Sequence, residues 1–496
     1  MNLLPQGLRG PARVRAARPF FAIAVASVAA IVAGCGGSSG ASSSGGTNGG
    51  STTVVVMASS AANDQLTGFD GTVESLTLTD KAGKQVTVIS SPVSDEFIHL
   101  NGNVEPLVTV SVPQDTYVSA SATVSSMDPL CSQLYPGSLY IDQMVDTGGV
   151  TVNLPAPINV TGNAMGLVLN LDVSKSTPFQ GACPDNLALV PPLGTVFDLT
   201  PITIAEAPTN SANGMMFGLR GIVQSVGSGG SSLTVNSLSP GASSSPLAWT
   251  VNLNNSTKLQ GGLNASQLAA GAVVDMDAAV QQDGSFLATR VAMIDASVPN
   301  LSVEAGPLLL VGAAQPVVLF DGTYDEGYLS PYLGGATYFT FGNAEFETSG
   351  QIDNLANLPF NATFTPANMV AGQRALLSTQ ATSQTGGPNY TPSTKMTLLP
   401  QTIDGTITAI SSQGDFTAYT VQLAPYDLFT NLAIQPGQTT LLSTPNTVVV
   451  YADSNTQMLN SGSLSTGILA RFYGLVFNDS GTLRMDCAQV NDGVAE

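Results

Sequence analysis

Charge, histidine and tryptophan are scarce in this chain. Charged side chains make up 10 % of its 496 residues, His99 is its one histidine and Trp249 its one tryptophan. Soluble domains commonly devote about 25 % of their residues to charge, so solubility here falls to Ser, Thr, Asn and Gln. One histidine and four cysteines without a Cys-x-x-Cys spacing exclude a conventional zinc centre. The Asp/Asn-rich calcium loop, the phosphate-binding loop and the dinucleotide fingerprint are missing as well. No Gly-x-Ser-x-Gly elbow stands between a strand and a helix. Each absence removes a class of enzyme, and no cofactor or metal is expected.

The charge that remains has one dominant sign. Four arginines and no acid fall within residues 1–34, so the rest of the chain carries 10 basic against 34 acidic side chains. Nucleic acid is bound by replacing its condensed counterions with Lys and Arg, which excludes it as a partner. Adhesion of the protein body to anionic headgroups is disfavoured for the same reason.

The amino terminus has the three parts of an export signal. Arg9, Arg13, Arg15 and Arg18 form a positive region, and Phe20 to Val32 form an apolar run of 13 residues. A membrane-spanning helix needs roughly 20, whereas a signal core needs fewer. The run ends at Val32-Ala33-Gly34-Cys35, which resembles the bacterial lipobox. That resemblance implies acylation of Cys35 and removal of residues 1–34. Residues 36–53 contain only Gly, Ser, Thr, Ala and Asn, a flexible spacer with a reach of about 23 Å. The expected partner is therefore a membrane, reached through the lipid. Gly36 stands where an Asp would suggest inner-membrane retention, and this favours the outer membrane of the cell envelope.

Of the remaining cysteines, Cys131 and Cys183 are a candidate disulfide in an oxidising envelope. Two free buried thiols are the alternative. Cys487 is left odd and is expected to pack in a strand.

Beyond the spacer, strand patterns dominate. Alternation with β-branched residues runs through 71–79, 107–112 and 150–154, with turn residues roughly every ten positions. One short helix is expected at 265–270. The fold class is all-β and multi-domain. A β-sandwich is expected over 54–206, followed by about three small barrel-like modules at 218–297, 305–401 (the divergent one) and 402–493. The modules follow from an internal repeat. GIVQSV at 221–226 matches GTITAI at 405–410, and NSTKL at 255–259 parallels SNTQM at 454–458. Strands opened by Gly271 and Gly467 then lead through the turns QQDGS and NDSGT to a closing strand. A looser copy is anchored on Gly372. These modules resemble a family of small bacterial envelope β-modules of unknown function. VPQDTYVSASATV at 112–124 and GLVLNLDVSKS at 166–176 are similar to an uncharacterised lipoprotein domain with a transthyretin-like sandwich. Neither resemblance implies a catalytic residue.

One segment, 320–341, concentrates candidate ligand contacts: Asp321, Tyr324, Asp325, Glu326, Tyr328 and Tyr332. Aromatic faces beside carboxylates can stack on a sugar and bond its hydroxyls. The same rings could instead line a barrel wall. Asp321 and Glu326 could form an acid–base pair, but nothing in the sequence marks them out from the other acids, and His99 reads as a packed side chain. The expected function is a non-catalytic envelope lipoprotein, binding a glycan or an envelope protein or serving a structural role. An exported carbohydrate-active hydrolase is the alternative.

Overall fold

The computed structural model describes residues 50–61, 66–97, 100, 103–135, 138–143, 150–176, 196–202, 204, 215–237, 248–260, 267–294, 301–311, 317–321, 336–352, 355–380, 391–424, 427–435, 438, 440–459 and 464–491. The fold is all-β with several sheets, as the alternation patterns predict, and helix is confined to short turns. The described stretch begins with two facing sheets. In one, the strand Ser51–Ala61 runs parallel to Ala164–Asp172 and antiparallel to Glu105–Pro113. In the other, the long strands Leu66–Asp80 and Asp115–Tyr135 pair antiparallel.

The run Val54-Val55-Val56-Met57 has no polar face, and the structure explains why. Val54 and Val56 enter the core between the two sheets, with Leu76, Leu107, Tyr117 and Leu169. Val55 and Met57 point the other way, into a second core built by the first barrel. A strand covered on both faces loses its alternation.

Three barrels follow, each with the same topology. In the first, the five strands are Met215–Val226, Ser232–Ser237, Ala248–Asn252, Val273–Val280 and Phe286–Met293. The second uses Leu301–Val311, Val317–Asp321, Ala336–Thr340, Arg374–Gln380 and Thr391–Leu398. The third uses Gln401–Gln413, Phe416–Leu423, Thr447–Ala452, Leu469–Asp479 and Thr482–Asn491. In each, the first strand pairs with the second and fourth, and a parallel pairing of third and fifth closes the wall. A Greek-key barrel of this strand order is the topology of the OB-fold.

Closure rests on local devices that recur at equivalent positions. The first strand is bulged after Val223, Leu308 and Ile407, and the fourth strand breaks register with the fifth at Asp277, Ser378 and Tyr473. Bulges sharpen local bend and twist, which a small closed barrel requires. The fourth strand is entered through Gly271, Gly372 and Gly467, whose φ angles are 91°, 97° and 88°. Each glycine amide donates to the first strand's bulge: to Val223 O at 2.8 Å, Leu308 O at 2.7 Å and Ile407 O at 2.8 Å. The N–H groups of Val223, Leu308 and Ile407 donate back to the residue after the glycine. Only glycine takes this left-handed conformation without cost.

The Asn/Ser-Thr repeat also has a structural reason. Thr257 donates to Ala288 O and Thr456 to Cys487 O, each at 2.8 Å, while accepting from the Asn254 and Asp453 amides. A short turn is thereby pinned to the fifth strand. In the second barrel Ala344 precedes the matching short strand, so this pin is lost and the copy looks divergent. Of the helix expected at 265–270, residues 265 and 266 lie outside the described residues, Gln267 is in a 3-10 turn, and 268–270 leave it for the glycine turn.

Gly467→Ala and Gly271→Ala should each cost about 1–2 kcal/mol, because their only penalty is the left-handed backbone. Gly372→Ala should cost more, since its Cβ would come within 2.7 Å of the Phe429 ring. Urea unfolding of the three variants measures this order.

Candidate functional site

The sequence-predicted site residues fall mostly outside the described residues. That holds for Cys35, His99, Cys183, Tyr324, Asp325, Glu326, Tyr328 and Tyr332. Cys131 lies on the strand Asp115–Tyr135, in register with Leu66 and Asp142. Asp321 ends the second strand of the second barrel, opposite Ala336 at the start of the third. The tyrosine-rich segment is therefore the connection between those two strands. Cys487 is buried in the last strand, and burial pushes its thiol well above the ordinary value.

The densest polar constellation among the described residues lies on the outer wall of the first barrel. Along Val273–Val280, Val274, Met276, Ala278 and Val280 fill the interior. Alternation then sends Asp275 and Asp277 outward. On the next strand Arg290 also faces out, between them. Its Nε is 2.6 Å from Asp277 Oδ2, and one terminal nitrogen is 2.6 Å from Asp275 Oδ2. Arg220 Nε, on the first strand, lies 3.3 Å from Asp275 Oδ1.

These outward charges do not reach water: Arg290 is 4 % exposed and Asp277 5 %. Gln351 of the second barrel donates to Asp277 Oδ1 at 3.2 Å, and the Gly218 amide donates to the same oxygen at 2.9 Å. Tyr473 of the third barrel approaches as well, its ring 6.5 Å from that of Phe217. Burial and the nearby Asp277 raise the Tyr473 phenol far above its ordinary range. Burial by itself would raise the Asp275 carboxyl, but Arg290 and Arg220 together hold it below the usual value. The Arg290 guanidinium stays charged, because the two carboxylates outweigh its burial. Chemically this is an ion-pair lock where the three barrels meet.

The equivalent position is decorated differently in each barrel. Arg220 faces Asp275 across the first and fourth strands. The third barrel reverses the pair, with Asp404 opposite Arg471, and the second replaces it with Ala305 opposite Leu376. Sequence reasoning missed this cluster because an Asp alternating with apolar residues reads as a solvent-facing position.

A different kind of surface lies on the second and third strands of the first barrel. There Ser232, Thr234 and Asn236 stand in register with Asn252, Thr250 and Ala248. The side chains are half-buried or exposed, and none is charged. In OB-folds this face and its adjoining loops bind oligonucleotides or oligosaccharides.

Residues 220–292 match the family model of a domain of unknown function, DUF5666. The match runs from Arg220 on the first strand to Ala292 on the fifth, so it coincides with the closed barrel and includes the whole ion-pair cluster. No curated protein matches the chain. The DUF5666 match thus bears on one barrel, and strand order, the bulges and the glycine clamp relate the other two to it.

Arg290→Ala should destabilise the protein by about 3–5 kcal/mol, since it leaves two buried carboxylates without their main cation. A depressed carboxyl contributes stability above its unfolded pKa and loses it on acidification. The wild type should therefore lose stability as pH falls below about 4, and Arg290→Ala should show a weaker acid dependence. Thermal melts of both proteins between pH 3 and 7 test this.

Proposed function

We propose that this protein is a lipid-anchored component of the bacterial cell envelope with a non-catalytic binding role. In this reading Cys35 carries the lipid and the residues after it lift the body off the outer membrane; residues 51–53, expected in the spacer, already belong to the strand Ser51–Ala61, where pairing on both sides holds them, and the binding body starts there. Its amino-terminal sandwich is read as transthyretin-like on the likeness of 112–124 and 166–176. The substrate class is a neutral polysaccharide, engaged along the second- and third-strand faces of the barrels.

The observation that carries this reading is the composition of that face in the first barrel: Ser232, Thr234, Asn236, Thr250 and Asn252, without a charge. A row of hydroxyl and amide groups on a rigid wall can exchange water hydrogen bonds for those of sugar hydroxyls. The net charge of −20 opposes a polyanion. The tyrosines at 324, 328 and 332 join the same two strands in the second barrel, where rings could stack on sugars. The buried acids of the first barrel support a binding role over hydrolysis, because Arg290 and Arg220 occupy Asp275 and Asp277.

Two experiments test this. Cys35→Ser should yield unprocessed or mislocalised protein, and unchanged membrane fractionation would overturn the anchor. The chain should be retained on a panel of insoluble neutral glycans. Thr250→Asp combined with Asn252→Asp, both at exposed positions of the third strand, should reduce that retention at least tenfold with little change in melting temperature. Absence of retention on every glycan, or retention indifferent to the double variant, would overturn the binding face.

A further inference from the structure

The third barrel has a feature for which sequence provided no signal. The connection between its second and third strands holds a short helix, Leu428–Leu432, capped by Asp427, whose Oδ1 accepts from the Phe429 amide at 2.8 Å. This helix is one of the places where the third barrel meets its neighbours. Phe429 is fully buried against Gly372 of the second barrel, and the Ala371 amide donates to Ile434 O at 3.1 Å. The helix also lies against the long sandwich strand Asp115–Tyr135.

Beneath the helix is a charge imbalance. Asp404 is 0 % exposed and Asp427 2 %, and the cation paired with Asp404 is Arg471, itself 8 % exposed. Arg471 Nε is 3.2 Å from Asp404 Oδ1. The other carboxylate oxygen of Asp404 and one terminal nitrogen of Arg471 have no hydrogen-bond partner among the described residues. The connection itself is tied to this pair, because the Ala424 amide donates to Asp404 O at 3.1 Å. One guanidinium neutralises one carboxylate, and a second buried anion beside them is strongly disfavoured.

We infer that Asp427 is a proton-controlled latch. Protonated, it closes the segment 427–434 over the Asp404–Arg471 pair and seats Phe429 on the second barrel; ionised, it releases that segment to water.

Among the described side chains the charged group acting on Asp427 is Asp404 from the first strand, whose own partner is Arg471 from the fourth. The helix contributes none, and the second barrel presents Ala371 and Gly372. Burial, reinforced by Asp404, pushes the Asp427 carboxyl up to about 8, against the lowering effect of the Phe429 amide. A carboxyl raised in the closed form makes closure most favourable at low pH, and that advantage is lost as pH rises through the closed-form value. Closing therefore takes up one proton across the range from about 4 to about 8.

Hydrogen exchange of residues 427–434 in the full chain, corrected for intrinsic rates, reads the latch. Opening should increase about tenfold per pH unit between 6 and 8 and level off above that. Asp427→Asn, which cannot ionise, should remove this pH dependence while keeping the cap acceptor. Asp404→Asn should move the transition to lower pH, because the neighbouring charge that raises Asp427 is removed. If either variant fails to fold, infrared difference spectra of Asp486→Asn, which removes the other carboxyl that burial raises into this range, should show a protonated carboxyl at pH 6 that is lost by pH 9. Wild-type protection that does not change with pH, an unchanged pH slope in Asp427→Asn, or the absence of that carboxyl signal would overturn the latch.

Discussion

Each barrel depends on the clamp between the first strand's bulge and the glycine that opens the fourth strand. Two backbone hydrogen bonds hold that corner, and the left-handed glycine turns the chain into it. The bulge bends the first strand enough to pair on both sides, with the second strand and with the fourth. Without that bend the third and fifth strands would not meet, and the sheet would keep open edges prone to pairing with other chains. Because every clamp partner is a backbone group, the sequence around it can drift widely, provided the glycine stays.

Three barrels built alike are joined by unlike interfaces. Between the first and second an apolar patch, in which Ile222, Val273 and Ile294 pack against Val303, Ala305, Leu376 and Leu399, is accompanied by Gln260 donating to Gly350 O at 2.8 Å. Between the second and third, Leu475 and Phe477 enter the second barrel's cluster, and Gln373 donates to Val476 O at 2.8 Å. Where all three converge, the Arg290 ion pairs are sealed by Gln351 and Tyr473. The reversed pairs, Arg220–Asp275 and Asp404–Arg471, give equivalent walls opposite patterns of charge. A wall that docks in the wrong place would then bury like charges together, a cost large enough to enforce one arrangement.

Legibility of the sequence followed the range of the interactions involved. Gly271, Gly372 and Gly467 stood out because a left-handed turn can be satisfied by one residue type. The Asn/Ser-Thr pairs stood out because a side chain bonding its own turn needs a fixed short spacing. The helix Leu428–Leu432 gave no signal, being too short for helical periodicity and held by its Asp427 cap and the burial of Phe429. Residues 265–270 offered a brief apolar stretch closed by Gly271, but that glycine serves the strand after it. The candidate tyrosines were placed by topology on one connection of the second barrel, whereas Gln351 and Tyr473 approach Asp277 from positions 74 and more residues away.

The sequence by itself determined that this is an all-β chain of repeated barrels, since strand alternation and turn chemistry act over a few residues and are written locally. It also supplied the motif on which the lipid anchor at Cys35 is proposed. Tertiary structure decided what the outward faces mean. An aspartate pointing out of a barrel strand is solvated or paired according to what other strands and barrels place beside it, and here Asp275 and Asp277 are both buried on Arg290 where alternation alone would leave them in water. Electrostatic energy depends on the charges and water within a few ångströms, and in this chain those neighbours arrive from strands and barrels far away in sequence.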